Sequence, residues 1–300
     1  MILSVCLNPT IQKTLLFEGF NPGGVNRAAL ARFDASGKGV NLCRVLGQLA
    51  EPSLHLTQVG GRFNGFFLEM CAQDGIPLRQ VESGSEIRFC HTVISKKDGR
   101  YNITELVEEA AAVSPGTEEK VRDAFAEVLP QCECLVISGT KAAGFSDSLY
   151  PDMVRQAKEA GKFVVLDIRG KDLLACLQHR PDLIKPNLDE FLGTFGENLT
   201  QRRKDAKVTV RSICAELHAK YDCQIVLTRG AEAVWFFDAG GFQEQEVQAI
   251  DAINPIGSGD AFTAALARSL LHGASLQEAV AEAGKAGAMN ARQLKPGCIR

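Results

Sequence analysis

The 300-residue sequence has no stretch of about twenty apolar residues that could span a bilayer, and its opening Met1-Ile2-Leu3-Ser4-Val5 lacks the basic flank and small-residue cleavage site of an export signal. Both absences point to a cytoplasmic protein with no membrane partner. A basic stripe is missing too. With 33 Lys and Arg against 36 Asp and Glu, the formal net charge is −3 and the pI about 6.0. Arg202-Arg203-Lys204 alone is too short to follow a nucleic-acid backbone and reads as a solvated helix start. The ten cysteines contain no pair with zinc-finger or redox spacing. Cys132 and Cys134 flank Glu133 where an apolar strand begins, and read as small hydrophobes on one face. His55, His91, His179, His218 and His272 share no metal or triad spacing and read as surface or capping residues. The only tryptophan, Trp235, lies in the apolar run 234–237 and reads as core. No repeat, low-complexity tract or linker divides the chain.

What is present suits a globular protein with its own core: 45% hydrophobic and 23% charged residues. Strand-like apolar runs recur at 2–7, 54–59, 135–138, 163–167, 183–184 and 224–228. Helical periodicity covers 40–49, 64–73, 118–128, 147–160, 208–220, 261–272 and 276–290, the last opened by Ser275 with Glu278 as a capping box. This alternation predicts an α/β fold, a parallel sheet covered by helices on both faces. Two segments break it, residues 11–33 and 87–105. Both are rich in β-branched and aromatic residues, and Asp98-Gly99 in the second is a hairpin signal. They are expected to meet as a small sheet over the main one, a lid or a dimer contact.

Three motifs carry chemistry. Asn254-Pro255-Ile256-Gly257-Ser258-Gly259-Asp260-Ala261-Phe262 is a glycine-rich turn running into a helix. Backbone N–H groups at such a start, aided by the helix dipole, form a phosphate site that glycines let the ligand approach. Asp260 falls beside that anion, where a carboxylate is costly unless it accepts the proton of an attacking hydroxyl. An aspartate that only stabilises the helix N-terminus is the alternative. Asp34-Ala35-Ser36-Gly37-Lys38-Gly39-Val40-Asn41 again opens a helix with glycines and offers Lys38 and Asn41 to hydroxyls or phosphates. It is neither a P-loop nor a dinucleotide fingerprint, and a plain tight turn also fits. Lys185-Pro186-Asn187-Leu188-Asp189-Glu190 follows a short strand, so its side chains emerge at the carboxyl end of the sheet. Asn187 and Glu190 share one face of a helical turn, as oxygen ligands for hydrated Mg²⁺ or as a helix cap.

The order and separation of these motifs resemble the ribokinase/phosphofructokinase-B superfamily along nearly the whole chain. Ser36-Gly37-Lys38-Gly39-Val40-Asn41 with Cys43-Arg44 resembles its amino-terminal signature, and Asn254 to Asp260 its carboxy-terminal one. Val136-Ile137-Ser138-Gly139-Thr140 and Lys185-Pro186-Asn187 fall between them. Leu7-Asn8-Pro9-Thr10-Ile11, Val25-Asn26-Arg27 and the Asn-Pro before the glycine loop are most similar to the tagatose-6-phosphate kinase and 1-phosphofructokinase branch. The resemblance implies one ribokinase-like domain over residues 1–300, a three-layer α/β/α fold with a mostly parallel central sheet and a small β-sheet lid. It implies ATP and Mg²⁺, a phosphorylated ketohexose as substrate, and a homodimer joined through the lid. It also implies roles: Asp260 as base, with the amides of Gly257, Ser258 and Gly259 as anion hole; Asn187 and Glu190 toward Mg²⁺; Lys185, Asn187, Thr228, Gly230 and Asn290 along the nucleotide. Gln12, Gly37, Lys38, Gly39, Asn41 and Ser138 would hold the sugar, and Arg27 and Arg88 its existing phosphate.

The sequence departs from the family pattern on the substrate side. Gln12 stands where an aspartate is usual, Ser36 replaces a glycine, Val107-Glu108-Glu109-Ala110 replaces a more glycine-containing segment, and Lys141-Ala142-Ala143-Gly144 lacks the usual prolines. Two other readings follow: a kinase of an unphosphorylated sugar or nucleoside on the same scaffold, and a sugar- or nucleotide-binding protein without turnover.

Overall fold

The computed structural model describes residues 1–97, 99–196 and 206–300. Arg202-Arg203-Lys204 and Asp98 lie outside the described residues. In chain order the strands are β1 (Ile2–Val5), β2 (Thr10–Phe17), β3 (Leu30–Ser36), β4 (Ser53–Val59), β5 (Leu78–Glu82), β6 (Arg88–Lys97), β7 (Arg100–Val107), β8 (Cys134–Ser138), β9 (Phe163–Asp167), β10 (Leu183–Ile184), β11 (Gln224–Arg229), β12 (Glu232–Asp238) and β13 (Gly241–Gln245). The helices are α1 (Lys38–Gln48), α2 (Asn64–Gln73), α3 (Thr117–Val128), α4 (Leu149–Glu159), α5 (Gly170–Leu177), α6 (Leu188–Phe195), α7 (Ala206–Tyr221), α8 (Ser258–Leu271) and α9 (Leu276–Ala291).

The main sheet has the order β13-β12-β11-β10-β9-β8-β1-β4-β5. Seven neighbours from β11 to β5 are parallel, and β12 and β13 continue the edge antiparallel. Its central strands are continuous apolar runs because both faces are covered. Alternation sends Leu3, Val5, Leu135 and Ile137 into one core with side chains of α3 to α7. It sends Ile2, Cys134 and Val136 into the other, with α1, α2, α8 and α9. Three layers result, with the parallel strands' carboxyl ends at one rim. No described helix is long and apolar enough to cross a membrane.

A second sheet, in the order β3-β2-β6-β7, holds the two segments that broke the βα alternation. Each is an antiparallel hairpin, and they join through parallel pairing of β2 with β6. Lys97 pairs with Arg100, and Gly99 takes φ 75°, a left-handed turn conformation that suits glycine.

Several expectations are corrected. Elements β5, α5, α6, β12 and β13 escaped the periodicity reading. The two helices are eight residues each, too short for a convincing 3.6-residue pattern, and β13 is a polar edge strand. Cys132 and Cys134 pack into opposite cores, because a 3₁₀ turn at Leu129–Gln131 precedes Cys132 and the strand begins only at Cys134. His55 is neither surface nor cap. It is buried on β4 with Nδ1 3.1 Å from the Ser4 carbonyl, and burial pushes its pKa down to about 4.

Candidate active site

Parallel strands gather a cleft where their carboxyl ends meet. Here a cavity of about 940 Å³ opens beyond β1, β8, β9, β10 and β11, with residues of β2, β6 and β7 forming its opposite wall. That volume lies at the upper end of small-molecule sites, enough for a nucleotide and a second small ligand.

At its floor lies a cluster of charges, Asp167, Lys185 and Asp260 buried and Lys38 half-buried. Asp167 ends β9, fully enclosed. Its Oδ1 accepts from Lys38 Nζ at 2.9 Å, while Oδ2 accepts from Thr263 Oγ1 at 2.9 Å and lies 3.3 Å from Lys185 Nζ. Burial opposes its charge, but the two lysines and these hydrogen bonds hold the carboxyl below the ordinary aspartate range. For Lys38 burial again opposes the charge, and Asp167, Asp260 and Glu190 outweigh it and hold the ammonium above an ordinary lysine.

Asp260 stands in the first turn of α8, its Oδ2 accepting from Asn41 Nδ2 at 2.7 Å. Its Oδ1 has no hydrogen-bond partner among the described residues. Desolvation dominates here, and Lys38, the Asn41 bond and Lys185 only partly offset it, so the pKa rises to about 6. Neighbouring Asp167 adds to the rise. The two carboxylates are thereby pushed apart, one locked as an anion and one able to exchange a proton near neutrality.

The glycine loop beside Asp260 turns at Gly257 with φ 83°. A Cβ there would lie 2.7 Å from Gly297 N, so the position demands glycine for space as well as for conformation. The N–H groups of Gly257, Gly259 and Asp260 have no partner among the described residues. Ser258 differs: its N–H already donates to the Pro255 carbonyl at 3.0 Å and its Oγ accepts from Asn290 Nδ2 at 3.1 Å. Of the three expected amides, that of Ser258 is thus already engaged, while the Asp260 N–H lies free beside those of Gly257 and Gly259.

Of the remaining candidates, Gln12, Gly37, Lys38, Asn41, Arg88, Lys185, Asn187, Glu190 and Thr228 line the cavity. Gln12 donates Nε2 to Thr92 Oγ1 at 2.6 Å and keeps its carbonyl oxygen free. Arg88 donates Nη1 to the Glu108 carbonyl at 3.2 Å, and its buried Nε has no partner among the described residues. Asn187 and Glu190 form the capping box of α6, with Glu190 N donating to Asn187 Oδ1 at 2.8 Å and Asn187 N to Glu190 Oε2 at 3.0 Å. Glu190 Oε1 retains only Arg169, 4.0 Å away.

Six candidates fall outside the lining. Arg27 is exposed in the turn between β2 and β3. Ser138 is buried beneath the cavity with an unpartnered Oγ. Gly39 is a packing glycine, since a Cβ would come 2.2 Å from His55 Cε1. Gly230 forms the turn from β11 to β12 at φ 65°. Ser258 and the fully buried Asn290 brace the loop, Asn290 also donating to the Ile256 carbonyl and accepting from Gly297 N. The sequence reading passed over Asp167 and Thr263. A carboxylate as the last residue of a central parallel strand was the available signal for Asp167; Thr263, mid-helix, offered none.

Among the described residues no three His, Cys, Asp or Glu side chains cluster as a metal cage. The donors present fit a hydrated Mg²⁺ nonetheless, because that ion keeps several waters and needs only one or two carboxylates beside phosphate oxygens.

The family model described as pfkB family carbohydrate kinase matches residues 4–298. A tagatose-6-phosphate kinase of Staphylococcus epidermidis is 28% identical over 302 residues, spanning 100% of this chain and 94% of the relative. Among solved structures, Escherichia coli phosphofructokinase-2 in complex with potassium superposes with a TM-score of 0.85 at 22% identity, covering 97% of this chain and 93% of that one. A Thermotoga maritima protein described as a possible 1-phosphofructokinase gives 0.87 at 22% identity, covering 98% and 92%. The structural matches establish a shared ribokinase-type fold.

The charge on Asp260 leaves a mark on stability. Its folded pKa lies above the ordinary value of 3.8, so the native state binds the proton more tightly than the unfolded chain. Its stabilising contribution is complete below pH 3.8 and is lost as pH rises through about 6. Asp260→Asn is therefore expected to be more stable than the parent at pH 8, by on the order of 2–3 kcal/mol, with the advantage gone near pH 4. Urea unfolding at both pH values measures this; an equal difference at both contradicts it.

Proposed function

The chain belongs to the pfkB family of carbohydrate kinases, and from that premise we propose that it moves a phosphoryl group from ATP to a hydroxyl of an already phosphorylated ketohexose. The substrate is of the tagatose 6-phosphate or fructose 1-phosphate type, and the product a bisphosphate. One observation carries this reading: a buried carboxylate with one oxygen unpartnered among the described residues adjoins free loop amides in a cavity that also holds Lys38 and the buried Lys185.

The acceptor hydroxyl approaches the free Oδ1 of Asp260, which takes its proton. In a loose transition state that hydroxyl becomes acidic late, so a carboxylate with a pKa of about 6 is an adequate base and is largely ionised at neutral pH. The amides of Gly257, Gly259 and Asp260 meet the charge on the transferring group, and they need no reorganisation because the loop is already braced by Asn290 and Gly297. Lys38 and Lys185, fixed on Asp167, keep positive charge beside it. Bound Mg²⁺ would neutralise phosphate oxygens, held by Glu190 and Asn187; Thr228 and Lys185 border the nucleotide. Arg88, with its unpartnered Nε, takes the substrate's existing phosphate, and Gln12 offers a neutral carbonyl to a sugar hydroxyl. Full-length similarity to tagatose-6-phosphate kinases supports the phosphosugar class.

The small sheet acts as the lid over this cavity and as the contact between two copies in a cytoplasmic homodimer. Its outer face carries the row Phe33, Lys13, His91 and Leu106, in which Phe33 is 42% and Leu106 56% exposed. Sedimentation equilibrium should give twice the monomer mass, and Leu106→Glu should return the monomer; a monomeric parent removes the dimer.

Removing a well-placed general base typically costs about a hundred- to ten-thousandfold. Asp260→Asn should lose at least a hundredfold in kcat while its ATP affinity, read by calorimetry, stays within about twofold; wild-type turnover would refute the base. ADP release with tagatose 6-phosphate, fructose 1-phosphate, fructose 6-phosphate and their unphosphorylated parents should favour an ester by at least tenfold in kcat/KM. Preference for a free sugar would establish the other kinase reading.

A further inference from the structure

Arg44 has no part in the reaction as described, yet it is bonded on every side. It lies on α1 three residues after Asn41, with its side chain 5% exposed. Its Nη1 donates to Asn41 Oδ1 at 3.0 Å and to the Pro296 carbonyl at 2.6 Å, Nη2 to the Ala35 carbonyl at 2.5 Å, and Nε to Asp74 Oδ2 at 2.9 Å. Asp74 balances its charge and is itself paired with Lys295.

An asparagine amide is almost symmetric in shape but not in chemistry, since one end only donates and the other only accepts. Asn41 turns its donor end to Asp260. At its other end sit Ser36 Oγ, 3.2 Å away, and the Arg44 guanidinium. A hydroxyl can donate or accept, so it would tolerate either orientation; a guanidinium can only donate. Arg44 is thus the group that compels Oδ1 to face it and leaves Nδ2 for the carboxylate.

We infer that Arg44 is a positioning residue for phosphoryl transfer, acting through Asn41 to keep Asp260 in the direction and ionic form that the acceptor hydroxyl requires. The inference rests on Asp260 being the base. With Arg44 removed, the amide can turn over and set oxygen against oxygen, an arrangement stable only when Asp260 is protonated. The other groups facing Asp260 are Lys38 from α1, Asp167 from β9, Lys185 after β10 and the Cys6 thiol after β1. None of them bonds to Asn41. The anchor of Arg44 is itself tightly held: a Cβ on Gly297, next to Pro296, would come 2.7 Å from the Asn41 carbonyl.

Steady-state pH profiles of Arg44→Met, Arg44→Lys, Asn41→Ala, the Arg44→Met/Asn41→Ala pair and Asp260→Asn test this. Both Arg44 variants should lose about tenfold to a hundredfold in kcat, with KM for ATP and sugar phosphate within about twofold. The acid limb of their kcat profiles should move up by about one pH unit. Arg44→Met should add nothing further to Asn41→Ala, because both act on one bond. An unmoved acid limb, or losses that multiply in the pair, would overturn the inference. If Arg44→Met fails to fold, Arg44→Lys decides, since its single nitrogen keeps the charge beside Asp74 but replaces a fork whose separate nitrogens hold Asp74 and Asn41 at once. Turnover retained in Asp260→Asn would refute the base itself; a dead Asp260→Asn beside unshifted Arg44 variants refutes only the role of Arg44.

Discussion

Two carboxylates and an ammonium group removed from water at the rim of one sheet, with the half-buried Lys38 ammonium beside them, set the terms for everything around them. Burying such charges is stabilising only where each is paired and hydrogen-bonded. Asp167 meets that condition through Lys38, Lys185 and Thr263. Asp260 meets it only halfway, with one oxygen on Asn41 and the other unpartnered among the described residues. The inequality is chemically useful, because it separates a permanent anion that anchors cations from a carboxylate able to accept a proton.

The scaffold explains why five side chains so far apart in sequence converge. Lys38 and Asn41 come from the start of α1, Asp167 from the end of β9, Lys185 from just after β10 and Asp260 from the start of α8. Parallel strands deliver their carboxyl ends to one rim, and α1 and α8 also begin there, with no side-chain cap on their first amides. Close approach then needs glycine at particular points. Gly39 lets α1 settle on His55, and Gly257 and Gly297 let the glycine loop before α8 and the turn around residue 297 touch through backbone. Strain at these points would be felt directly in the cluster.

Much of this could be read from residues alone, and the gaps have physical causes. Apolar runs long enough to cross a buried sheet betrayed β1, β4, β8, β9 and β11, while the polar edge β13 and the short α5 and α6 gave no comparable pattern. The glycine-rich approach to Asp260 pointed to an anion site because glycines at a helix start have few other uses. Asn187 and Glu190 were visible as a pair, and the cap they form is the alternative that spacing alone left open. Arg27 and Asn290 drew attention through resemblance, yet one lies in an exposed turn and the other beneath the loop it braces. Asp167 was hidden for a different reason: its meaning depends on lysines 129 and 18 residues away in sequence, which only the fold brings to it.

The central claim is that the loop amides and Asp260 address one transferring phosphoryl group. A crystal structure with Mg·ADP, aluminium fluoride and a ketohexose phosphate tests it most directly. The account predicts the fluoride complex against the Gly257, Gly259 and Asp260 amides, with a sugar hydroxyl within hydrogen-bond distance of Asp260 Oδ1. A fluoride complex away from the loop, or a sugar with no hydroxyl near that oxygen, would contradict it.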